Sequence, residues 1–277
     1  MAPRICSAII ITKIGSSEAD VAARKVAKLL NMNNVKAYSL LPLKVEGTTS
    51  ITPEELKRIK LDVIFAIGGD GTTLRSFRMI QGEVSLFAIN SGGHRGILAE
   101  ADANSIDEAI NTILAGKCFY DSRIRIQTNA SKRLLPPALN DILITRVNLT
   151  RTPLISIRVM GDEIKQRMDG IVISTPTGST GHSFSIGGPV LHEEMSCLII
   201  SPIASVNRMP QLVIPVEEIT IQSSHESNII IDGQEVFSVG AEEPIKVTRF
   251  PDNATFLRLH KKGMRQLAKL GFSKLGF

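Results

Sequence analysis

Tryptophan is absent from this chain and only two tyrosines occur, which holds the aromatic fraction to 4%. A nucleic-acid platform needs aromatic side chains interleaved with clustered basic ones, so no nucleic-acid partner is expected. Cysteine is scarce as well. Cys6, Cys118 and Cys197 are odd in number and far apart, and no Cys-x-x-Cys pair occurs. They make neither a disulfide framework nor a zinc site, which fits a reducing, cytoplasmic setting. No apolar run approaches the roughly 18 residues of a membrane-spanning helix, so no membrane partner is expected. The apolar stretch 5–11 lacks a small-residue cleavage site behind it and reads as a first strand rather than a leader. Charge of one sign is also lacking: 32 Lys and Arg face 27 Asp and Glu, a net of +5. A small polyanionic substrate explains that balance, and so do diffuse solvated lysines.

What is present is an ordinary soluble composition, 43% apolar and 21% charged over 277 residues. That length has room for a sizeable core and two domains. In the first half, strands predicted at 5–11, 37–43, 61–67 and 84–89 alternate with helices at 17–30, 73–79 and 105–115. Ser17 and Asp20 have capping-box spacing, and Thr52-Pro53-Glu54-Glu55 places a cap, a proline and an acid where a helix begins. This rhythm predicts an open, mainly parallel, Rossmann-like α/β sheet, whose ligands bind at the carboxyl ends of the strands.

Near residue 120 the pattern changes to short strands, at 124–128, 138–145, 154–160, 171–175, 197–201, 218–222, 228–231, 235–239 and 245–248. Alternation such as Ile155-Ser156-Ile157-Arg158-Val159 marks strands with one wet face, and Asp232-Gly233 marks a hairpin. The expected organisation is an α/β domain over 1–122 and a β-sandwich-type domain over 123–252. A segment at 253–277, helical at 261–270, then packs back on the first domain.

The most informative string is Gly68-Gly69-Asp70-Gly71-Thr72, directly behind the apolar run 63–67. Glycines admit a ligand close to the backbone, and a helix starting at Thr72 offers N–H groups and a positive dipole end to phosphate. Arg75, one turn into that helix, is placed either toward the same anions or toward solvent. A carboxylate does not belong in a loop made only for phosphate, so Asp70 has a separate task, steering a metal or accepting a proton. The plain alternative is a tight turn that uses Asp-Gly for its backbone angles.

Three further clusters lie in the second half. Asn140-Asp141 sits inside a predicted strand, where neighbours point to opposite faces unless the backbone bends. Thr175-Pro176-Thr177-Gly178-Ser179-Thr180-Gly181-His182-Ser183-Phe184-Ser185 is dense in small hydroxyl residues and reads as a binding loop for ribose and phosphate. Gln166-Arg167-Met168-Asp169-Gly170 places an Arg and an Asp before a buried strand, as a site or as a surface ion pair.

Together with Asn90-Ser91-Gly92-Gly93-His94-Arg95-Gly96-Ile97-Leu98 and Asp232-Gly233-Gln234, these strings resemble the NAD kinase family, collinearly from residue 61 to 234. The glycine-aspartate string alone is shared with diacylglycerol kinases and phosphofructokinases. Asn140-Asp141 with Asp169 through Gly181 is the specific part.

The resemblance implies phosphorylation of the adenosine ribose 2′-hydroxyl of NAD to give NADP. ATP or polyphosphate is the donor, with Mg²⁺ accompanying it and no dedicated protein cage for the metal. It implies Asp70 as general base, and Gly69, Gly71, Thr72, Arg75 and Asn90 as nucleotide-binding residues. Asn140 and Asp141 would hold NAD through its adenine and ribose portions, with Arg167 and Asp169 near the dinucleotide. Thr177, Thr180, Gly181, His182, Ser183, Phe184 and Ser185 would line the pocket, and Gln234 would add a contact. A homodimer or homotetramer is implied too. A diacylglycerol-type lipid kinase and a non-catalytic dinucleotide sensor are the alternatives.

The chain departs from the family pattern in three places. The segment from Asn90 to Gly96 is one residue longer, with Ile97 in place of Phe. His182 stands where the family usually has Tyr. Ser201-Pro202-Ile203-Ala204-Ser205-Val206-Asn207-Arg208 replaces a stretch that usually carries Pro-His. The longer segment adds Arg95 as a phosphate contact, so Arg95→Ala is expected to raise the donor KM in a steady-state assay. An unchanged KM removes that contact.

Overall fold

The computed structural model describes residues 5–80, 82, 84–92, 96–261 and 265. Arg95 and most of the helix expected at 261–270 lie outside the described residues. The chain divides into two compact units, one from Met1–Ser122 with Ala254–Arg265 and the other from Arg123–Asn253.

The first unit contains β1 (Ser7–Thr12), α1 (Ser17–Met32), β2 (Lys36–Leu40), β3 (Thr49–Ile51), α2 (Pro53–Leu56), β4 (Val63–Ile67), α3 (Asp70–Met79), β5 (Ser85–Asn90), β6 (Ala101–Asp102), α4 (Ile106–Leu114) and β7 (Phe119–Arg123). The second contains β8 (Ile126–Ala130), β9 (Arg133–Leu134), β10 (Asp141–Arg146), β11 (Leu154–Val159), β12 (Asp162–Arg167), β13 (Gly170–Ser174), a 3₁₀ turn at Thr177–Thr180 and α5 (His182–Ser185). It continues through β14 (Cys197–Ile203), β15 (Leu212–Pro215), β16 (Ile219–Ser223), β17 (Ser227–Ile231), β18 (Glu235–Val239) and β19 (Ile245–Arg249). The chain then returns to the first unit as β20 (Ala254–Arg258).

Local signals explain most starts. Thr52 forms a capping box with Glu55, whose carboxylate accepts from the Thr52 N–H at 2.8 Å. The cap of α1 is Ser16, which accepts from the Ala19 N–H at 3.3 Å, one residue before the expected Ser17. Helix α3 begins at Asp70 with Gly69 as its cap, two residues before the expected start at Thr72. Asp70 is thus the first helical residue rather than the middle of a loop.

The sheet of the first unit runs β3-β2-β1-β4-β5-β20-β7, with β6 beside β5. The pairs β2–β3, β1–β2, β1–β4, β4–β5 and β5–β20 are all parallel. Every residue of β4 is buried, as a strand covered on both faces requires. Helices α1 and α4 share one core with Ala8, Ile10, Phe65, Phe87 and Leu257. Chain order reverses between β1 and β4. A crevice therefore opens at their carboxyl ends, where Gly68 and the start of α3 sit.

The second unit stacks two antiparallel sheets, β15-β14-β13-β10-β17-β18 and β12-β11-β16-β19-β8-β9. Ile142, Ile144, Ile171, Ile173, Ile229 and Ile231 of one sheet share a core with Ile155, Ile157, Ile219, Ile221, Ile245 and Val247 of the other. Strands β3, β6, β7, β9, β12, β15 and β20 are not among those expected. Asp162–Arg167 is exposed or half-buried throughout, so it carries no apolar signal and only its pairing with β11 identifies it.

Ile173 is fully buried in β13, between β10 and β14. Ile173→Ala should cost about 2–5 kcal/mol through the cavity it leaves. That is read as a lower urea midpoint, while Glu218→Ala on the surface should change stability by about 0.5 kcal/mol or less.

Candidate active site

The predicted site residues fall into two groups, one in each unit. In the first, the turn after β4 is held by the Gly68 N–H donating to the Ile89 carbonyl at 2.9 Å. Gly69, Asp70 and Arg75 are half-buried, Gly71 is exposed, and Thr72 is buried within the helix. Asn90 closes β5, and its Oδ1 accepts from the Gly92 N–H at 3.3 Å.

Asp70 is oriented from the far side. Its Oδ2 accepts from the Ile97 N–H at 3.2 Å and its Oδ1 from the Leu98 N–H at 3.0 Å. A Cβ on Gly96 would lie 2.2 Å from Asp70 Oδ1, so only glycine lets this segment approach so closely. The carboxylate also sits in the first turn of α3, where the helix dipole favours negative charge. Arg75 Nη2 donates to the Thr12 carbonyl at 2.7 Å, and its Nε is buried with no partner among the described residues. Burial, then the charge of Arg78, pulls the Arg75 guanidinium below its usual pKa. An anion at this end of the sheet would relieve both effects.

In the second unit the organiser is Asp232, buried in the hairpin between β17 and β18. Asp232 and Gly233 both have positive φ, at 49° and 67°, as the tight turn requires. The Asp232 Oδ1 accepts from the N–H groups of Leu139 at 3.1 Å, Asn140 at 2.8 Å and Asp141 at 3.3 Å. Asn140 is therefore fixed just ahead of β10, and Asp141 is its first residue. The expected mid-strand placement does not occur, and neither does its conflict of opposite faces. The guanidinium of Arg125 is buried over the Phe250 ring at 4.5 Å. Burial lowers its pKa to about 10, and the charges of Asp252 and Asp232 oppose that shift.

The hydroxyl-rich stretch packs on the same place. The Thr175 N–H donates to the Asn140 carbonyl at 2.9 Å, and Thr175 Oγ1 donates to the Leu139 carbonyl at 2.5 Å. A Cβ on Gly178 would fall 2.1 Å from the Asn140 carbonyl oxygen, and one on Gly181 would lie 3.6 Å from the Asp141 carboxylate. Much of the hydroxyl density serves the fold itself. Ser179 Oγ donates to the Pro176 carbonyl at 2.7 Å, and Ser183 Oγ lies 2.9 Å from Ser201 Oγ. Thr177 and Thr180 are buried and Gly181 is half-buried, whereas His182, Phe184 and Ser185 are exposed. Gln234 is exposed beside the Asp232 hairpin.

Arg167 and Asp169 lie elsewhere. The Arg146 N–H donates to the Asp169 carbonyl at 3.1 Å, and the two side chains form an ion pair at 2.8 Å. Arg146 is the far end of β10 from Asp141, roughly 16 Å away at about 3.3 Å per residue. Arg167 donates to the Thr152 carbonyl at 2.9 Å. Within this chain they do not join the Asn140-Asp141 cluster. Gly96, Gly178 and Asp232 were absent from the predicted site. The sequence marks Asp232 as a turn residue and as part of a family string, but nothing local reveals the amides it binds.

These features define a two-domain protein with a glycine-aspartate helix start at the switch point of an open sheet, followed by a β-sandwich with a second polar cluster. Comparisons narrow that class. The ATP-NAD kinase N-terminal domain model matches residues 8–118, and the ATP-NAD kinase C-terminal domain model matches residues 135–259. The NAD kinase of Thermococcus sibiricus is 30% identical over 260 residues, covering 91% of this chain and 94% of that protein. The NAD kinase of Pyrococcus abyssi is 33% identical over 221 residues, covering 75% of this chain and 77% of that protein. The yeast NADH kinase solved with NADH superposes with a TM-score of 0.83 at 20% identity, over 99% of this chain and 90% of that one. An Archaeoglobus fulgidus NAD kinase solved with ATP gives 0.76 at 24%, over 96% of this chain and 97% of that one. The chain belongs to the NAD kinase family.

Removing the Asp232 carboxylate strands three buried amides and leaves a β-carbon in the left-handed region. Asp232→Ala should therefore lower stability by about 3 kcal/mol in urea unfolding. Asp232→Asn, which tolerates that backbone and keeps one acceptor, should lose less.

Proposed function

We propose that this protein phosphorylates the 2′-hydroxyl of the adenosine ribose of NAD, with ATP as donor and Asp70 as general base. The observation that carries this reading is the Asp70 carboxylate, held at the start of α3 by the Ile97 and Leu98 amides. A ribose hydroxyl is a poor nucleophile until a base accepts its proton. In the step, the 2′-oxygen forms a bond to the terminal phosphorus, the bond from that phosphorus to the bridging oxygen breaks, and Asp70 takes the proton. ATP is the donor named in the description of the matching family.

The helix start and the half-buried Arg75 guanidinium offer N–H donors and positive charge to the donor's phosphates. Asn140 and Asp141, fixed by Asp232 and by the turn around Gly178, hold the adenosine portion, and exposed His182 and Phe184 offer rings to stack on it. Among the described residues no group of three metal-ligating side chains occurs. On this reading Mg²⁺ accompanies the donor's phosphates and neutralises their charge. A cytoplasmic homodimer or homotetramer completes the reading, with the family likeness and three free cysteines in its support.

Purified protein with NAD, Mg²⁺ and either ATP or polyphosphate should form NADP, read with an NADP-specific dehydrogenase. Asp70→Asn should lower kcat by about 10²–10⁴-fold. Full activity in that variant would remove Asp70 as the base, and no NADP with either donor would remove the kinase.

A further inference from the structure

The late strand β20, set between β5 and β7 in the first unit's sheet, reaches Asp70 from two directions. Phe256 of β20 packs edge-to-face on Phe77 of α3, with ring centroids 4.9 Å apart, and Asp70 is the first residue of that helix. Two residues on, the Arg258 guanidinium stacks over the Phe256 ring at 4.3 Å. Its Nη1 donates to the Leu98 carbonyl at 2.8 Å, and its Nε donates to Asp121 Oδ2 at 2.9 Å. Leu98 is the residue whose own N–H binds Asp70 Oδ1 at 3.0 Å.

A single residue, Leu98, thus links a buried arginine to Asp70, through its carbonyl on one side and its N–H on the other. Arg258 is 2% exposed, and Glu100 lies 3.7 Å from its Nη1. Glu100 in turn accepts from the Leu259 N–H at 3.1 Å and the His260 N–H at 3.3 Å and pairs with Arg265, which fixes the chain just beyond β20. Burying a guanidinium with two carboxylates is costly, and fixing a local geometry is one use such a cluster has. A hydrophobic side chain in a closed core would fill this place without that cost. A loop that must present two amides to a carboxylate across the sheet needs its carbonyl side anchored.

We propose that Arg258 is a positioning residue for Asp70: it pins Leu98 by its carbonyl, so that the N–H groups of Ile97 and Leu98 hold the carboxylate toward the reacting hydroxyl. The inference rests on the reading of Asp70 as general base. Arg258 is buried among Leu98, Asp121 and Glu100 of the first unit, so on this proposal it acts on the chemical step and leaves NAD binding unchanged.

The test is a double-mutant cycle in the full chain, with kcat and the NAD KM measured for wild type, Arg258→Met, Asp70→Asn and the double variant. Thermal melts by circular dichroism accompany each. Arg258→Met should lower kcat by about 10–100-fold with the NAD KM within about twofold, since small misplacement of a catalytic group costs about that much. In the Asp70→Asn background the same substitution should change kcat by less than about twofold, because its route of action is gone. Arg258→Lys, which keeps the charge and one donor, should recover part of the loss.

An equal loss in both backgrounds, or a loss carried by KM, overturns the positioning role and leaves Arg258 a structural ion pair. Wild-type kcat in Asp70→Asn alone instead overturns the base, and it is read before the cycle. Should Arg258→Met not fold, Arg258→Lys takes its place in the cycle: a kcat loss confined to the Asp70 background supports the positioning role, and an equal loss in both backgrounds overturns it.

Discussion

A carboxylate that leaves water must find donors, and in this chain several find them in backbone far away along the sequence. Asp62 binds the N–H groups of Cys6 and Ser7 at the start of β1. Asp70 binds those of Ile97 and Leu98, Glu100 those of Leu259 and His260, and Asp232 those of Leu139, Asn140 and Asp141. Hydrogen bonds to a charged acceptor are worth about 1.5–3 kcal/mol each, enough to fix a loop that has no other reason to hold one conformation. Without these clamps the strand ends would fray into solvent, and both polar clusters would lose their shape.

The clamps recur in both units. In the first, a switch point in a parallel sheet supplies a crevice and a helix N-terminus, and Asp70 is turned by amides that compete for its oxygens while orienting it. In the second, a buried hairpin carboxylate sets the entry to β10, and the glycines of the turn after β13 let that turn lie directly against it. Gly96 and Gly178 share one role: each removes a Cβ at the point where the backbone meets a group that must not move. The arginines near these carboxylates, Arg125 and Arg258, are buried over aromatic rings, which eases the desolvation of a planar cation.

Much of this was legible beforehand, for identifiable reasons. The α/β class, the β-sandwich class and the family followed from signals local in sequence: β-branched runs ending in glycine, period-two alternation, and a collinear set of short strings. The start of α3 was placed two residues late because Gly69 and Asp70 read as turn residues, although a first-turn acid is also favoured in a helix. Strands β12 and β20 carry little signal, one because it is polar and the other because Ala254–Arg258 has only Phe256 and Leu257 as large apolar residues. The hydroxyl-rich string reads as a binding loop, and the structure adds that Ser179 and Ser183 make internal hydrogen bonds, as buried hydroxyls in a tight turn generally do.

The sequence by itself determined what is periodic or covalently close: which segments become strands and helices, that a carboxylate follows a glycine pair behind a buried strand, and the family to which the whole belongs. The tertiary structure alone decided which distant amides each carboxylate binds, that Arg146 and Asp169 sit at the opposite end of β10 from Asp141, and that a late strand enters the first sheet beside β5. The reason is physical. Hydrogen bonds to backbone N–H groups carry no side-chain signature at the accepting segment, so partners such as Leu98 and Asp70, or Leu139 and Asp232, become visible only when the chain has folded them within 3 Å or so of each other.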